Sequence, residues 1–409
     1  MKAKPHALSV SIDTMTSYSF DRKGRLIGAY VDGINYKRGL DNSVLRKWST
    51  YGGPGPHRHR RKLEDNEKRE FFHEMTKTLE HIREFPDEYT IETPEGRKST
   101  CRWFERAVEH NFDALEADAE KIRRIYKPVS ILPPDQYYSL VLQITEGCSY
   151  NKCTFCNFYQ DRRFRIKSPE DVKNHICAVT DFFGESLGLR KSVFLADANA
   201  LIMPQRRLLE MLEIIRDSYT IIADDTRKKE IARRRRAGEA VFDGIYSFID
   251  LFTGDYKSET QFREMAELGV RRAYIGMESG SKALLEFLEK PGSKAEMVGA
   301  VNKIKAGGVD VGAIVLLGAG GKDFDEIHVE ETVDALNRMR LDTDDFIYFS
   351  DFYPQEETRY ETVAAEAGIE PMSWEDRRNQ EQRIRAGLRY QDPKTGPKII
   401  PYDIREFLY

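Results

Sequence analysis

From Tyr137 to Pro354 the chain alternates short apolar runs with amphipathic stretches, and that rhythm admits few folds. Tyr138 to Ile144 predicts a buried strand, and Pro169 to Phe183 a helix with Ser168 as its N-cap and Pro169 in its first turn. Lys191–Ala196 predicts the next strand, followed by a helix over Gln205–Asp217. Gly244–Ile249 and Ser258–Leu268 repeat the pair. Arg272–Met277 predicts a fourth strand, with helices beginning near Ser281 and Ser293. Val309–Leu317, Asp325–Met339 and Asp345–Phe349 predict a fifth strand, its helix and a sixth strand. Strands separated by single helices pair in parallel, in a sheet that is open or curled. Sites in such folds lie at the carboxyl ends of the strands, and each predicted strand here runs into a polar or glycine-rich segment.

The flanks differ from this middle part. The first 136 residues predict an α+β extension: one or two short strands within Phe20–Gly33, a loop over Tyr51–Pro56, and helices over Arg61–Phe85 and Asp113–Tyr126. The middle domain is expected over residues 137–354, and residues 355–409 predict a helical extension packed on it. The 409 residues suffice for two or three domains. A net charge of −4 gives no general attraction to nucleic acid or to an acidic membrane. No apolar run approaches the roughly 20 residues that span a bilayer. The start, Met1-Lys2-Ala3-Lys4-Pro5-His6, lacks the apolar stretch of a signal peptide.

The first predicted strand leads straight into Glu146-Gly147-Cys148-Ser149-Tyr150-Asn151-Lys152-Cys153-Thr154-Phe155-Cys156. Three of the chain's five cysteines fall in this run. An odd, clustered set does not form a disulfide framework, and a reducing cytoplasm is the expected location. Three thiolates on one loop suit either zinc or an iron–sulfur cluster. A structural zinc needs a fourth ligand. Cys101, on an expected loop, and Cys177, in an expected helix, are read as ordinary thiols. His57 and His59 stand among Arg58, Arg60 and Arg61, whose charge opposes a divalent cation. A [4Fe–4S] cluster would be left one protein ligand short, with one iron free for other chemistry.

With these features in order, the chain resembles the radical S-adenosylmethionine superfamily over roughly Tyr137 to Pro354. The resemblance rests on the cysteine trio, on Phe155 before the last cysteine, and on the polar turn Ala196-Asp197-Ala198-Asn199-Ala200. It also includes Tyr274-Ile275-Gly276-Met277-Glu278-Ser279-Gly280, Lys290-Pro291 one helix later, and Leu317-Gly318-Ala319-Gly320-Gly321. The family's usual cysteine spacing is three residues then two; here it is four then two. The resemblance implies a partial (β/α)6 barrel, an enzyme, a [4Fe–4S] cluster on Cys148, Cys153 and Cys156, and S-adenosylmethionine on the fourth iron. Its chemistry would be reductive cleavage of S-adenosylmethionine, yielding a radical that removes a hydrogen atom from substrate. Oxygen sensitivity and a low-potential electron donor, a ferredoxin or flavodoxin, follow from it.

The same resemblance assigns cofactor-binding residues. Asp197 and Asn199 would offer acceptors to the methionine ammonium, although Asn199 also suits a helix cap. Glu278 and Ser279 would meet the ribose hydroxyls or the methionine end. Phe155 would set its backbone near the adenine, flanked by Gly312 and Ile314. Gly318, Gly320 and Gly321 would let backbone approach a ligand closely. Asp250, Asp255, Asp351 and Tyr353 stand near predicted strand ends, where a substrate would lie. No residue stands out as an acid or base catalyst. The basic run Arg227 to Arg236 suits a solvated helix face better than an RNA site. A small-molecule substrate is therefore expected ahead of nucleic acid. The other readings are a tRNA-modifying or coproporphyrinogen-oxidase-like enzyme of the same superfamily, and a zinc-bearing scaffold without catalysis.

Overall fold

The computed structural model of the chain describes residues 1–51, 56–91, 97–224, 227–250, 257–355, 357–390, 392 and 394–409. Gly52 to Gly55, within the expected loop, and Asp255 lie outside the described residues. The N-terminal part is an antiparallel meander in sequence order: β1 (Lys2–Lys4), β2 (Ala7–Ser11), β3 (Thr16–Asp21), β4 (Leu26–Val31), β5 (Ile34–Arg38), β6 (Val44–Tyr51) and β7 (Pro56–Lys62). Alternation sets the buried face, with Leu8 and Val10 inward from β2 and Tyr18 and Phe20 from β3. Helices α1 (Asp65–Glu84), α2 (Arg97–Glu109) and α3 (Phe112–Ile125) complete this core with Phe72, Met75, Trp103, Phe104 and Leu115. Most meander strands and α2 are absent from the sequence expectation. Their outward positions mix polar and half-buried residues, which blurs the alternation. Cys101, expected on a loop, lies in α2.

The rest of the chain adds β8 (Leu140–Gln143), β9 (Thr145–Glu146), β10 (Arg165–Ile166), β11 (Val193–Ala196), β12 (Ile245–Phe248), β13 (Val270–Glu278), β14 (Asp310–Leu317), β15 (Phe346–Asp351) and β16 (Lys398–Tyr402). Among the described residues, seven of these form one parallel sheet in the order β8-β11-β12-β13-β14-β15-β16. Every new strand adds to the same edge, the winding of a barrel rather than of a doubly wound sheet. β8 and β16 stay unpaired with each other, so the barrel is open. Helices α4 (Pro169–Phe183), α5 (Gln205–Ser218), α6 (Lys228–Arg236), α7 (Glu259–Glu267), α8 (Lys282–Phe287), α9 (Lys294–Ala306), α10 (Asp325–Arg338), α11 (Tyr360–Glu366) and α12 (Trp374–Gly387) make the connections. Ser168 and Ser258 cap α4 and α7 with reciprocal capping boxes.

The expected sheet is present, with one addition. The C-terminal extension contains α11 and α12 and then returns as β16, parallel to β15. Pro401 interrupts the amide ladder and is tolerated because β16 is an edge strand, and the same proline disguises the run as a loop in sequence.

The amino end of the barrel is closed by Asp135, in the turn Pro134–Gln136. Tyr274 donates to its carboxylate at 2.5 Å, Tyr348 at 2.6 Å and Arg272 at 3.2 Å. Donors from β13 and β15 thus converge on one acceptor and hold the two strands at a set distance.

Two buried histidines serve as neutral acceptors or spacers. His175 of α4 accepts the Gln143 amide of β8 at 3.1 Å, and burial brings it down to about 3. His328 of α10 is fully buried and is brought down to about 4 by burial, with Arg383 adding to the effect. An unfolded histidine titrates near 6.5, so protons favour the unfolded chain below that pH. This stability is complete above pH 6.5 and is lost as pH falls toward the folded values. Lowering the pH from 7.5 to 5 should therefore cost about 2 kcal/mol per histidine. Urea titrations of the native chain and of His175→Gln at the two pH values check this; identical pH dependence in both would contradict it.

Candidate functional site

The cysteine loop leaves β8 and returns through an antiparallel neck, β9 with β10. Glu146 and Arg165 lock the neck with two bonds of 2.8 and 2.9 Å. Gly147 has φ of 76°, and a side chain there would press on the Arg163 carbonyl. Its amide donates to Asp197 at 2.8 Å. The other Asp197 oxygen accepts from Gln143 at 2.8 Å, and the Asp197 amide donates to the Thr145 hydroxyl at 3.0 Å. Asp197 thus ties the end of β11 to both sides of the loop entrance.

Further on, Asn151 takes a left-handed φ of 50°, and its side chain donates to the Tyr159 carbonyl at 3.0 Å. The Thr154 amide bonds the Leu288 carbonyl at 3.0 Å, and the Tyr150 hydroxyl bonds the Glu289 carbonyl at 2.8 Å. The loop is therefore pinned to the segment after α8. Cys148, Cys153 and Cys156 are half-buried and line one cavity at the carboxyl ends of the strands. Burial pushes the Cys148 thiol up, Cys153 up to about 11 and Cys156 up to about 12. Three thiolates gathered there need a positive centre to hold them charged, so the donor set fits a metal group. Among the described residues the three do not form a group of donors within 4.8 Å of one another. A single tetrahedral ion would draw its donors that close, whereas a cluster spreads them. Cys101 and Cys177 are exposed on α2 and α4. His59 stacks on Trp48 in the meander.

Two polar groups line the same cavity as the thiols. In the first, Asn199 donates to Asp250 and, at 2.8 Å, to Ser149. In the second, Lys290 bonds Glu278 at 2.8 Å, with both side chains nine-tenths buried. Burial alone would lower Lys290, but Glu278 and Cys153 outweigh it and keep its ammonium protonated. Glu278 sits at a bulge of β13 with φ of 57°. Its carboxylate folds back over Gly276, where an added Cβ would lie 2.5 Å from that oxygen and 3.1 Å from the Lys290 nitrogen. Gly276 is therefore the residue that permits the ion pair.

The cavity brings together Phe155, Asn199, Glu278 and Ile314 with the three cysteines, and also Asp250, Asp351 and Tyr353. Three expected cofactor contacts are placed otherwise. Asp197 is buried and its carboxylate is occupied by Gly147 and Gln143. Ser279 is buried behind the wall, its hydroxyl 2.8 Å from His328 and accepting the Ser281 amide at 3.0 Å. Gly312 lies lower in β14, where a Cβ would meet the Tyr274 ring at 2.5 Å; it makes room for the barrel's tyrosines. The later glycine turn serves the C-terminal helices, with the Gly318 amide on Gln380 at 2.8 Å and the Gly320 amide on Tyr360 at 3.0 Å. Lining residues absent from the sequence expectation are Ser350, Tyr402 and Ile404, together with Lys290 as partner of Glu278. The Lys290-Pro291 pair was the visible signal for the last; Tyr402 and Ile404 depend on β16 and its following turn.

Residues 142–336 match the model of the radical SAM superfamily, a superfamily of enzymes. The family uses a [4Fe–4S] cluster and S-adenosylmethionine, which agrees with the donor set described above. No curated protein matches the chain in sequence. Among solved structures it is similar to the cobalamin-dependent S-adenosylmethionine radical enzyme OxsB, with 16% identity, 62% of this chain and 32% of that chain covered, and a TM-score of 0.37. It is also similar to coproporphyrinogen III oxidase (HemN) from Escherichia coli, with 10% identity, coverage of 61% and 51%, and a TM-score of 0.40. For methylornithine synthase (PylB) the identity is 15%, the coverage 68% and 80%, and the TM-score 0.39. The chain thus spans about a third of OxsB.

Removing one partner of a buried ion pair strands the other. Lys290→Met should cost about 3 kcal/mol, and Glu278→Gln combined with Lys290→Met should recover more than half of that. Urea denaturation of the two variants measures both values; equal losses would contradict the pairing.

Proposed function

We propose that this chain cleaves S-adenosylmethionine reductively at a [4Fe–4S] cluster held by Cys148, Cys153 and Cys156, and thereby removes a hydrogen atom from a small metabolite. The observation that carries this reading is the donor count. Three half-buried thiols line the cavity, and among the described residues its wall holds no fourth cysteine and no histidine. One coordination position is thereby left to S-adenosylmethionine. When bound, the cluster supplies an electron to the sulfonium, and the pair supplies the hydrogen-abstracting radical.

The residues of the chain provide binding, orientation and exclusion of water. Asp250, oriented by Asn199 and Ser149, is the acceptor for the methionine ammonium. Glu278, held in place by Lys290, accepts from the ribose hydroxyls. Ile314 and Phe155 give the adenine an apolar wall. Beyond them, Phe352, Tyr353, Tyr402 and Ile404 cover the space left for substrate. Asp351 enters this wall already paired with Arg378. A largely apolar cavity with a few polar groups on its wall suits a small molecule.

An RNA substrate is less well supported. On α6, Arg227, Arg234 and Arg235 pair with Glu230, Glu239 and Asp243, which reduces the charge open to phosphates. A zinc scaffold is less well supported, because residues 142–336 match a superfamily of enzymes. A ferredoxin or flavodoxin is the proposed electron donor, and exposure to oxygen should inactivate the enzyme. Among the described residues no helix is long and apolar enough to cross a membrane.

Anaerobic reconstitution with iron and sulfide, reduction with dithionite and chromatography for 5′-deoxyadenosine test the proposal. Cys153→Ala should lose the iron, whereas Cys101→Ala and Cys177→Ala should retain it. Asp250→Asn should keep the cluster but weaken S-adenosylmethionine binding by about 10- to 100-fold, the worth of a charged hydrogen bond. Full iron loading in Cys153→Ala, or a cluster-loaded native chain that never forms 5′-deoxyadenosine, would overturn the proposal.

A further inference from the structure

A second cavity lies between the meander and the barrel and shares no lining residue with the first. Arg25, Lys37 and Arg38 wall it from the meander side. Arg190 and Tyr137 wall it from the barrel side. Against these four cations the lining offers one acidic side chain, Asp21. That carboxylate is already occupied. One oxygen accepts from Arg25 Nε at 2.7 Å, and the other from the Lys23 and Arg25 amides, each at 2.9 Å. Asp118 adds a longer ion pair with Arg25 at 3.9 Å.

The other cations have carboxylates near them, Asp21, Asp118 and Asp41 by Arg38 and Glu406 by Lys37, but no close ion pair. Arg38 donates to the Leu26 carbonyl at 2.7 Å and to the Asn42 amide oxygen at 3.4 Å. Arg190 lies over the Phe183 ring at 4.6 Å, and its Nε has no hydrogen-bond partner. Lys37 sits over the Tyr137 ring at 4.8 Å. Among the described residues neither Lys37 nor Arg190 forms an ion pair. Arg25, with only 1% of its side chain exposed, keeps an Nη2 without a partner. Gathering four cations around one lining acidic side chain is unfavourable in a low-dielectric gap, and an entering anion would relieve it. Guanidinium forks beside an ammonium match the oxygens of phosphate and carboxylate groups.

We propose that this inter-domain cavity binds the phosphoryl or carboxylate group of a small anionic ligand, held by Lys37 and Arg190 and backed by Arg25 and Arg38. The ligand joins the meander to the barrel, since each contributes part of the site. Burial, then Lys47 and Arg190, bring the Lys37 ammonium down to about 8, with Glu406 acting against them.

Thermal unfolding of the whole chain tests this with sodium phosphate, sodium succinate and sodium chloride at matched ionic strength. A saturable rise in Tm with phosphate or succinate, absent with chloride, is expected. Phosphate alone raising Tm assigns a phosphoryl group; succinate alone assigns a carboxylate. Lys37→Met and Arg190→Gln should each weaken the apparent affinity at least 10-fold. Lys37 contributes no hydrogen bond within the described fold, so Lys37→Met carries the test if Arg190→Gln fails to fold. Equal rises with all three salts, no rise with either oxyanion, or an unchanged response in Lys37→Met would overturn the proposal.

Discussion

The Asp197 carboxylate is the tie on which the thiol loop depends. It reaches from the end of β11 to the Gly147 amide immediately before Cys148 and to Gln143 at the end of β8. Burial by itself pushes this carboxyl up, and the Gly147 amide, Arg162 and Gln143 act against that rise. A carboxylate taken out of water must find such partners, so the demand for satisfaction turns the loop entrance into one geometry. The neck of β9 and β10 and the contacts to the segment after α8 close the loop elsewhere. Thiols displayed on this frame are preorganised for a group that binds several of them at once.

The barrel manages buried charge differently at its two ends. At the amino end, Asp135 collects two tyrosines and one arginine and closes the bottom. At the carboxyl end, Glu278 has a single strong partner, Lys290, and keeps a place on the cavity wall. The first arrangement is saturated and structural. The second leaves acceptor capacity toward the cavity, as a binding surface requires. Gly312 serves the first end and Gly276 the second, each by leaving space for a neighbouring side chain.

Much of this was legible in the sequence, for reasons that particular residues show. Ser168 announced its helix because capping acts over three residues. The cysteine trio and Glu278 were legible because their chemistry is rare and their spacing local. Asp197 and Ser279 have suitable chemistry for a ligand, yet Gly147 and His328 engage them, and no local pattern reveals partners so distant in the chain. β16 was hidden by Pro401, and with it the contribution of Tyr402 to the wall. The meander was obscured by half-buried polar positions, which weaken a two-residue period.

The central claim is a three-thiol cluster with one iron left open to S-adenosylmethionine. Electron paramagnetic resonance of the reduced, reconstituted chain tests it most directly. The account predicts a [4Fe–4S]⁺ signal whose g-values shift when S-adenosylmethionine is added, with broadening when its carboxylate carries ¹⁷O. A signal indifferent to S-adenosylmethionine, in protein that binds the molecule, would contradict it.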